Sequence, residues 1–78
     1  MADDRPAEEL IEYIAKALVD DTDAVNVSLA SDGQTLELET AEDDRGRVIG
    51  RQGRVAKAMR ALLGASSMGS GLRLDIVD

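Results

Sequence analysis

The stretch of this sequence best suited to chemistry is a glycine-framed basic turn, Val48-Ile49-Gly50-Arg51-Gln52-Gly53-Arg54-Val55. Gly50 and Gly53 lack a Cβ, so another molecule can approach the main chain closely at these two positions. The residues after Gly53 have a helical pattern, and the first N–H groups of a helix are unpaired and carry a partial positive charge. An anion is therefore the expected ligand of this turn.

Basic side chains surround the turn, namely Arg47, Arg51, Arg54, Lys57 and Arg60. A Gly-x-x-Gly turn with this much positive charge fits a phosphodiester backbone better than a small neutral ligand. The alternative interpretation is a basic helix face that is merely solvated.

The net charge of −7 is distributed unevenly along the chain. Residues 1–44 contain 14 acidic and two basic residues, whereas residues 45–74 contain seven basic residues and no acidic ones. Residues 75–78 add two acids. Charge segregated in this way produces a strong local field, so even an acidic protein can attract a polyanion to its basic segment.

Length and composition exclude several classes of protein. A chain of 78 residues forms one domain, and a chain of this size buries only about 60% of its unfolded surface. The absence of Cys and His excludes disulfides, thiolate nucleophiles, imidazole bases and the usual zinc sites. No apolar run approaches the ~18 residues of a membrane span, and no signal peptide opens the chain. We therefore expect a soluble, cytoplasmic protein with no membrane partner.

Two acidic clusters and one glycine spacing could suggest other chemistry. Residues 42–44 are all acidic, but adjacent acids at a helix start are ordinary partners of the helix dipole, and no nucleophile–base pair accompanies them. Residues 20–23 resemble the start of a calcium loop, yet Asn26 stands where that loop needs glycine. Residues 46–50 do not match the phosphate loop of NTPases. We expect no enzyme activity, metal or cofactor.

The first element that must position the turn is a helix over about residues 6–20. Pro6 suits a first helical position, and the apolar residues that follow recur at helical spacing. The predicted apolar stripe consists of Leu10, Ile11, Ile14, Leu18 and Val19. Tyr13 falls beside the stripe, where helix packing explains it better than stacking on a base. Residues 1–5 are expected to fray.

Two strands joined by a hairpin follow, because residues 25–29 and 36–40 each alternate apolar and polar side chains. Asp32-Gly33 between them is typical of a two-residue turn. This turn predicts that inward side chains meet inward partners: Leu29 with Leu36, Val27 with Leu38, and Val25 with Thr40.

Two helices flank the basic turn. Residues 40–43, Thr-Ala-Glu-Asp, have the form of a capping box and predict a helix over about 42–49 that ends at Gly50. A second helix starts at Arg54, with Gly64 as its C-cap. Its predicted inward residues are Val55, Ala56, Met59, Leu62 and Leu63.

Residues 65–71 are turn-rich, and residues 72–76 alternate as a last strand. The order is therefore α-β-β-α-α-β. Because a helix pair joins the second and third strands, these strands can run parallel through a right-handed crossover. The sequence predicts an α+β fold with one three-stranded sheet covered by three helices.

The turn and the element order together resemble KH domains. Residues 48–53 match the Val-Ile-Gly-x-x-Gly signature of that family, and α-β-β-α-α-β is the order of its type II form. The resemblance covers practically the whole chain, 1–78, and extends to small bacterial proteins made of one KH domain, whose run after the glycines also reads Arg, aliphatic, Ala, Lys, Ala. Many KH domains have an aliphatic residue three places after the second glycine, where this sequence has Ala56.

The resemblance implies a type II KH fold with a mixed sheet covered on one face by three helices, and single-stranded RNA as the partner. Gly50–Gly53 would contact the backbone of about four nucleotides, and Val48 and Ile49 would help line a groove for the bases. The far wall would come from residues 66–74. The implied RNA-binding residues are Arg47, Val48, Ile49, Gly50, Arg51, Gln52, Gly53, Arg54 and Lys57.

The resemblance also implies a role as an RNA chaperone or post-transcriptional regulator. It further implies a homodimer and a heterodimer with a larger bacterial protein that joins a KH domain to a second nucleic-acid-binding domain. The alternative from another class is a protein-interaction or dimerisation module with little intrinsic RNA binding, whose docking face is the acidic half.

Overall fold

The computed structural model of this protein describes residues 5–65 and 71–77. Its described elements follow the order α-β-β-α-α-β, as predicted. They are α1 (Arg5–Leu18), β1 (Asn26–Leu29), β2 (Thr35–Glu39), α2 (Arg45–Ile49), α3 (Arg54–Ala65) and β3 (Arg73–Ile76), with single turns of 3-10 helix at Thr22–Ala24, Glu42–Asp44 and Arg51–Gly53. The frayed start expected before Arg5 and the turn-rich stretch over 66–70 lie outside the described residues.

The three strands form one mixed sheet in the order β1-β2-β3, which confirms the predicted α+β class. β1 runs antiparallel to β2, with Val27 opposite Leu38 and Leu29 opposite Leu36. β3 runs parallel to β2, so a long connection must join them, and α2 and α3 provide it. The expected crossover therefore forms and places the basic turn at its middle.

The connection between β1 and β2 differs from the predicted two-residue turn. Ala30 donates its N–H to the carbonyl of Thr35 at 2.7 Å, and Gly33 donates to Ala30 at 3.0 Å, so the loop has four residues. The Asp32 carboxylate holds it by accepting the N–H groups of Gln34 and Thr35 at 2.8 and 3.0 Å. Two-residue and four-residue loops of this kind give the same register, which is why the strand pairing was predicted correctly.

The ladder between β1 and β2 ends at the pair Asn26 and Glu39, so the predicted pair of Val25 with Thr40 lies outside it. Both of these side chains are nevertheless buried. Thr40 does not act in a capping box either, because its hydroxyl donates to the carbonyl of Ala41 at 3.0 Å.

Side chains from every helix and from all three strands meet in one core. The central strand β2 contributes Leu36 and Leu38, both with no exposed surface. The remaining buried members are Ala7, Ile11, Ala15, Val19, Val25, Val48, Met59, Leu63 and Leu74. α1 packs closely on the sheet because two of its three buried residues are alanines. With a core this small, each fully buried aliphatic side chain carries a large share of the stability.

Several predicted inward residues are instead exposed. Tyr13 is 75% exposed, since it lies two residues past Ile11 and so on the opposite face of α1. Leu18, at the end of the same helix, is 38% exposed. On α3, Leu62 is 52% exposed because the helix turns Leu63 to the core.

The predicted C-cap at Gly64 is also wrong, because α3 continues through it to Ala65. Gly64 is not among the described glycines with positive φ, which a C-cap of this type requires. Within residues 5–65 and 71–77, no helix has the length and apolar character to cross a membrane.

Replacing Leu36 with Ala should lower the free energy of unfolding by about 2–5 kcal/mol, because the side chain is completely buried in the central strand. Urea denaturation followed by circular dichroism measures this loss. Leu62→Ala is the control, because it removes the same group from a half-exposed position and should cost less than about 1 kcal/mol. Equal losses would contradict this assignment of the core.

Candidate nucleic-acid interface

Residues 50–53 form a sharp exposed loop between α2 and α3. Gly50 has φ 77° and ψ 171°, Gln52 has φ 58° and Gly53 has φ 75°. Three of the four residues therefore have positive φ, which breaks the helix even though one turn of 3-10 helix spans Arg51–Gly53. Arg51 and Gln52 are exposed, so the loop is neither sealed beneath other side chains nor part of a continuous helix.

The two glycines are required for different reasons. A Cβ on Gly50 would lie 2.5 Å from Cγ2 of Val55 and 2.9 Å from its backbone nitrogen. Val55 thus packs directly on the bare α-carbon of Gly50, and this contact closes the loop against the start of α3. A Cβ on Gly53 would meet nothing within 4 Å, so only its positive φ favours glycine there. The main chain at Gly53 therefore faces open space.

The loop's own hydrogen bonds show which N–H groups remain for a ligand. Gly50 donates to the carbonyl of Gly46 at 2.8 Å, and Gly53 donates to that of Gly50 at 3.1 Å. No backbone partner within the described residues accepts the N–H of Arg51 or Gln52. The donors available to an anion are therefore these two middle groups rather than the glycine amides.

Three cations near the loop are exposed, and none forms an ion pair with another described residue: Arg51, Arg54 and Lys57. Arg54 and Lys57 stand three residues apart on α3 and so occupy neighbouring positions on its surface. The free positive charge begins in the loop and continues along the first turn of α3.

Arg47, also predicted to bind RNA, is held by two carboxylates instead. Its Nη1 and Nη2 lie 3.3 and 3.1 Å from the two carboxylate oxygens of Asp20, and its Nε lies 3.5 Å from Oδ1 of Asp44. In this structure the guanidinium is directed towards the end of α1, and its charge is balanced there.

Asp44 is the anchor of the loop that sequence reasoning missed. Its side chain is only 5% exposed and accepts the N–H groups of Asp20 and Asp21 at 3.2 and 3.0 Å. The hydrogen bond from Asp21 lowers the pKa of Asp44 most, and the bond from Asp20 and the charge of Arg47 act in the same direction against burial. Because an isolated helix as short as α2 is unstable, this link to the segment that follows α1 helps to fix its position.

An open groove of about 410 Å³ lies between α3 and the edge strand β3. It is lined by Arg60, Leu72, Arg73, Leu74 and Asp75. Leu72, Arg73 and Leu74 belong to the wall predicted from residues 66–74, and Asp75 borders it. Residues 66–70 of that predicted wall lie outside the described residues. The Nε of Arg60 donates to the carbonyl of Leu74 at 3.0 Å, a contact across the groove that the sequence did not indicate.

The apolar pair before the loop divides between core and surface. Val48 has no exposed surface and packs in the core, so the expectation that it lines the groove is wrong. Its neighbour Ile49 is half-buried. Within the described ranges, no three or more His, Cys, Asp or Glu side chains are grouped so as to hold a metal ion.

Alanine substitutions should separate the two glycines. Gly53→Ala should lower the free energy of unfolding by about 1–2 kcal/mol, the cost of positive φ. Gly50→Ala should cost more, because its conformation is almost exclusive to glycine and the new Cβ would overlap Val55. Urea denaturation measures both losses.

Gly46 provides the matched control for these substitutions. It lies inside α2 without positive φ, and a Cβ there would meet nothing within 4 Å. Gly46→Ala should therefore be neutral or stabilising by up to about 1 kcal/mol. A Gly50→Ala protein as stable as the Gly46→Ala protein would show that the loop has another geometry.

Asp44→Asn should lower Tm at neutral pH, because the buried carboxylate holds two backbone N–H groups. Since folding lowers the pKa of Asp44, its contribution is present above the unfolded pKa and is lost as pH falls through the folded pKa. The difference in Tm between the two proteins should therefore shrink below about pH 4. Asp43→Asn, at an exposed position, should leave Tm unchanged across the same pH series, and an equal effect of both substitutions would contradict the anchoring role.

The sequence was compared with known families and proteins. A family model described as KhpA/KhpB, KH domain, matches residues 8–76. The chain is 48% identical over 73 residues to the RNA-binding protein KhpA of Halalkalibacterium halodurans, covering 88% of this chain and 96% of that protein. It is 50% identical over 76 residues to the RNA-binding protein KhpA of Treponema pallidum, covering 91% and 94%. For the Streptomyces coelicolor protein of the same name, identity is 44% over 73 residues, covering 91% of each chain.

No solved structure gives a significant match. The fold, the exposed Gly-x-x-Gly loop and these matches agree with the resemblance seen in the sequence. The chain belongs to the KhpA/KhpB family of KH domains.

Proposed function

We propose that this protein binds single-stranded RNA and that the loop at residues 50–53 holds the phosphate backbone. The observation that carries the proposal is the exposed loop itself, whose two middle N–H groups lack a backbone partner in the described part of the chain. Backbone N–H groups on a tight positive-φ turn suit a phosphate oxygen, because they form a small concave set of donors. The name of these relatives, RNA-binding protein KhpA, supports the same conclusion.

The charges beside the loop support RNA rather than an acidic peptide or a small anion. The side chains of Arg51, Arg54 and Lys57 extend the positive surface from the loop along α3. Each phosphate neutralised by such a side chain releases counterions, and that release supplies most of the affinity for a nucleic acid backbone. The acidic surface contributed by residues 1–44 would repel RNA elsewhere and so direct it to this side.

Bases would then lie in the groove between α3 and β3. The lone aromatic residue of the chain, Tyr13, is exposed on α1, and the groove lining contains no aromatic ring. Bases would thus be read by hydrogen bonds and apolar contact rather than by stacking on an aromatic platform. Without stacking, affinity for a site of about four nucleotides is modest.

Modest affinity per domain makes self-association useful, because two linked sites bind one RNA with avidity. We propose that the chain acts as one KH domain, forms a homodimer and pairs with a larger KH protein, in keeping with a role as an RNA chaperone or post-transcriptional regulator. Leu62 on α3 is 52% exposed and Leu18 on α1 is 38% exposed, so both are accessible to such a contact. The same observation supports the second candidate function, a protein-interaction or dimerisation module with little intrinsic RNA binding.

Changing Arg51 and Gln52 together to Asp should abolish RNA binding while the fold remains. Both side chains are exposed, and Asp tolerates the positive φ of residue 52 better than most residues. Fluorescence anisotropy with a short labelled RNA of mixed sequence measures the affinity, and circular dichroism checks the fold.

Replacing Lys57 by Ala in the wild type should make the slope of log K against log salt shallower by at most ~0.7, the share of one phosphate contact in single-stranded RNA.

The double variant Lys16→Asp/Gln34→Asp is the charge-matched control, since it changes net charge by the same amount at exposed positions on α1 and in the β1–β2 loop. It should bind RNA far better than the loop variant. Unchanged affinity in the loop variant would exclude the loop as the RNA site. Light scattering on the same samples would show whether an assembly persists without RNA binding, as the second candidate function requires.

A further inference from the structure

The groove between α3 and β3 has two arginines, Arg60 and Arg73, in its lining. β3 is an edge strand, and Arg73 and Val77 donate their N–H groups to β2. Strand alternation therefore turns the polar backbone groups of Leu74 to the open edge. The carbonyl of Leu74 accepts the Nε–H of Arg60 there, so the guanidinium adds its remaining donors to this part of the edge.

Arg60 is fixed before any ligand arrives. Its Nε uses one of five N–H donors on Leu74 at 3.0 Å. Among the described residues no carboxylate pairs with it, so the two Nη groups remain available beside the groove. A guanidinium held by its Nε is preorganised, because less side-chain entropy is lost when the Nη groups bind.

A fixed pair of donors selects among the four bases. Guanine presents two adjacent acceptors, O6 and N7, which match a guanidinium fork, whereas adenine presents a donor at N6 beside N7. Cytosine also has two adjacent acceptors, O2 and N3, on its Watson–Crick edge, but it offers a carboxylate only one donor group, N4, where guanine offers two, N1 and N2. Uracil has no pair of adjacent acceptors, because N3–H lies between O2 and O4. Asp75, an acceptor on the β3 wall of the groove, can receive the N1–H and N2–H groups on guanine's other edge. The unpaired bases of single-stranded RNA expose both edges.

We propose that Arg60 determines base specificity, and that the groove between α3 and β3 reads a guanine whose O6 and N7 accept the free Nη groups of Arg60. This inference rests on the proposed RNA-binding function and adds the base that it recognises. Arg73, on the facing wall of the groove, adds a second donor-only side chain.

Short labelled oligouridylates provide the experiment, each carrying one central guanosine, adenosine, cytidine or 7-deazaguanosine. The guanosine oligomer should bind wild-type protein at least about fivefold more tightly than the adenosine or all-uridine oligomer, the lower range for one bidentate contact. 7-Deazaguanosine lacks N7 and should lose much of that gain. In Arg60→Lys the charge remains but the fork is lost, so the preference for the guanosine oligomer over the all-uridine oligomer should disappear.

Arg5→Lys is the matched control, because it makes the same change on α1, outside the groove, and should keep the guanosine preference. Salt-dependent binding of every oligomer with no preference, or with preference for adenosine or cytidine, would overturn the assignment and leave the proposed RNA binding intact. Absence of binding to all oligomers would overturn both. The 7-deazaguanosine comparison uses wild-type protein alone, so it decides the question even if Arg60→Lys proves unstable.

Discussion

The structure depends on a reversal of the main chain at residues 50–53, where three of four residues have positive φ. Such a loop is strained unless its ends are held, and α2, on one side of it, is only five residues long. Three contacts hold it. Val48 is buried in the core, Val55 packs on the α-carbon of Gly50, and Asp44 binds the backbone at the end of α1. The first half of the chain thus fixes a loop that belongs to the second half.

The same contacts sort the basic residues into two groups. Asp20 and Asp44 balance Arg47, so the basic residue one turn before the loop stabilises the fold rather than adding to the free charge. Arg51, Arg54 and Lys57 have no such partners among the described residues. Among the described residues, these three side chains therefore carry unbalanced positive charge in and after the loop. The charge segregation in the sequence overstates the extent of the free basic surface. Part of the positive charge, that of Arg47, is balanced by the acidic residues Asp20 and Asp44 in the folded protein.

The alternation of apolar and polar residues predicted the strands and their register well. Short motifs such as the Asp32-Gly33 turn predicted the local geometry less well. Alternation along β1 and β2 gave the correct register, since a slip of one residue would have exposed Leu36 and Leu38. Asp32-Gly33 indicated the position of the turn but not its form, because the Asp32 carboxylate bonds to the two following residues. Spacing alone could not show that Val48 faces the core or that Asp44, among three adjacent acids, is the buried one. Which residue of a pair or cluster is buried depends on tertiary contacts, and local sequence does not show them.

The loop and the groove are connected by a single rigid element. α3 starts at the loop with Arg54, and Arg60 lies six residues later, about 9 Å along the helix axis. Two side chains on one helix keep their separation, whereas side chains on flexible segments would not. A phosphate held at the start of α3 would therefore set which base reaches Arg60. Arg60 also donates to the Leu74 carbonyl on β3, so the distance between the proposed backbone contact and the proposed base contact would be fixed from both walls of the groove.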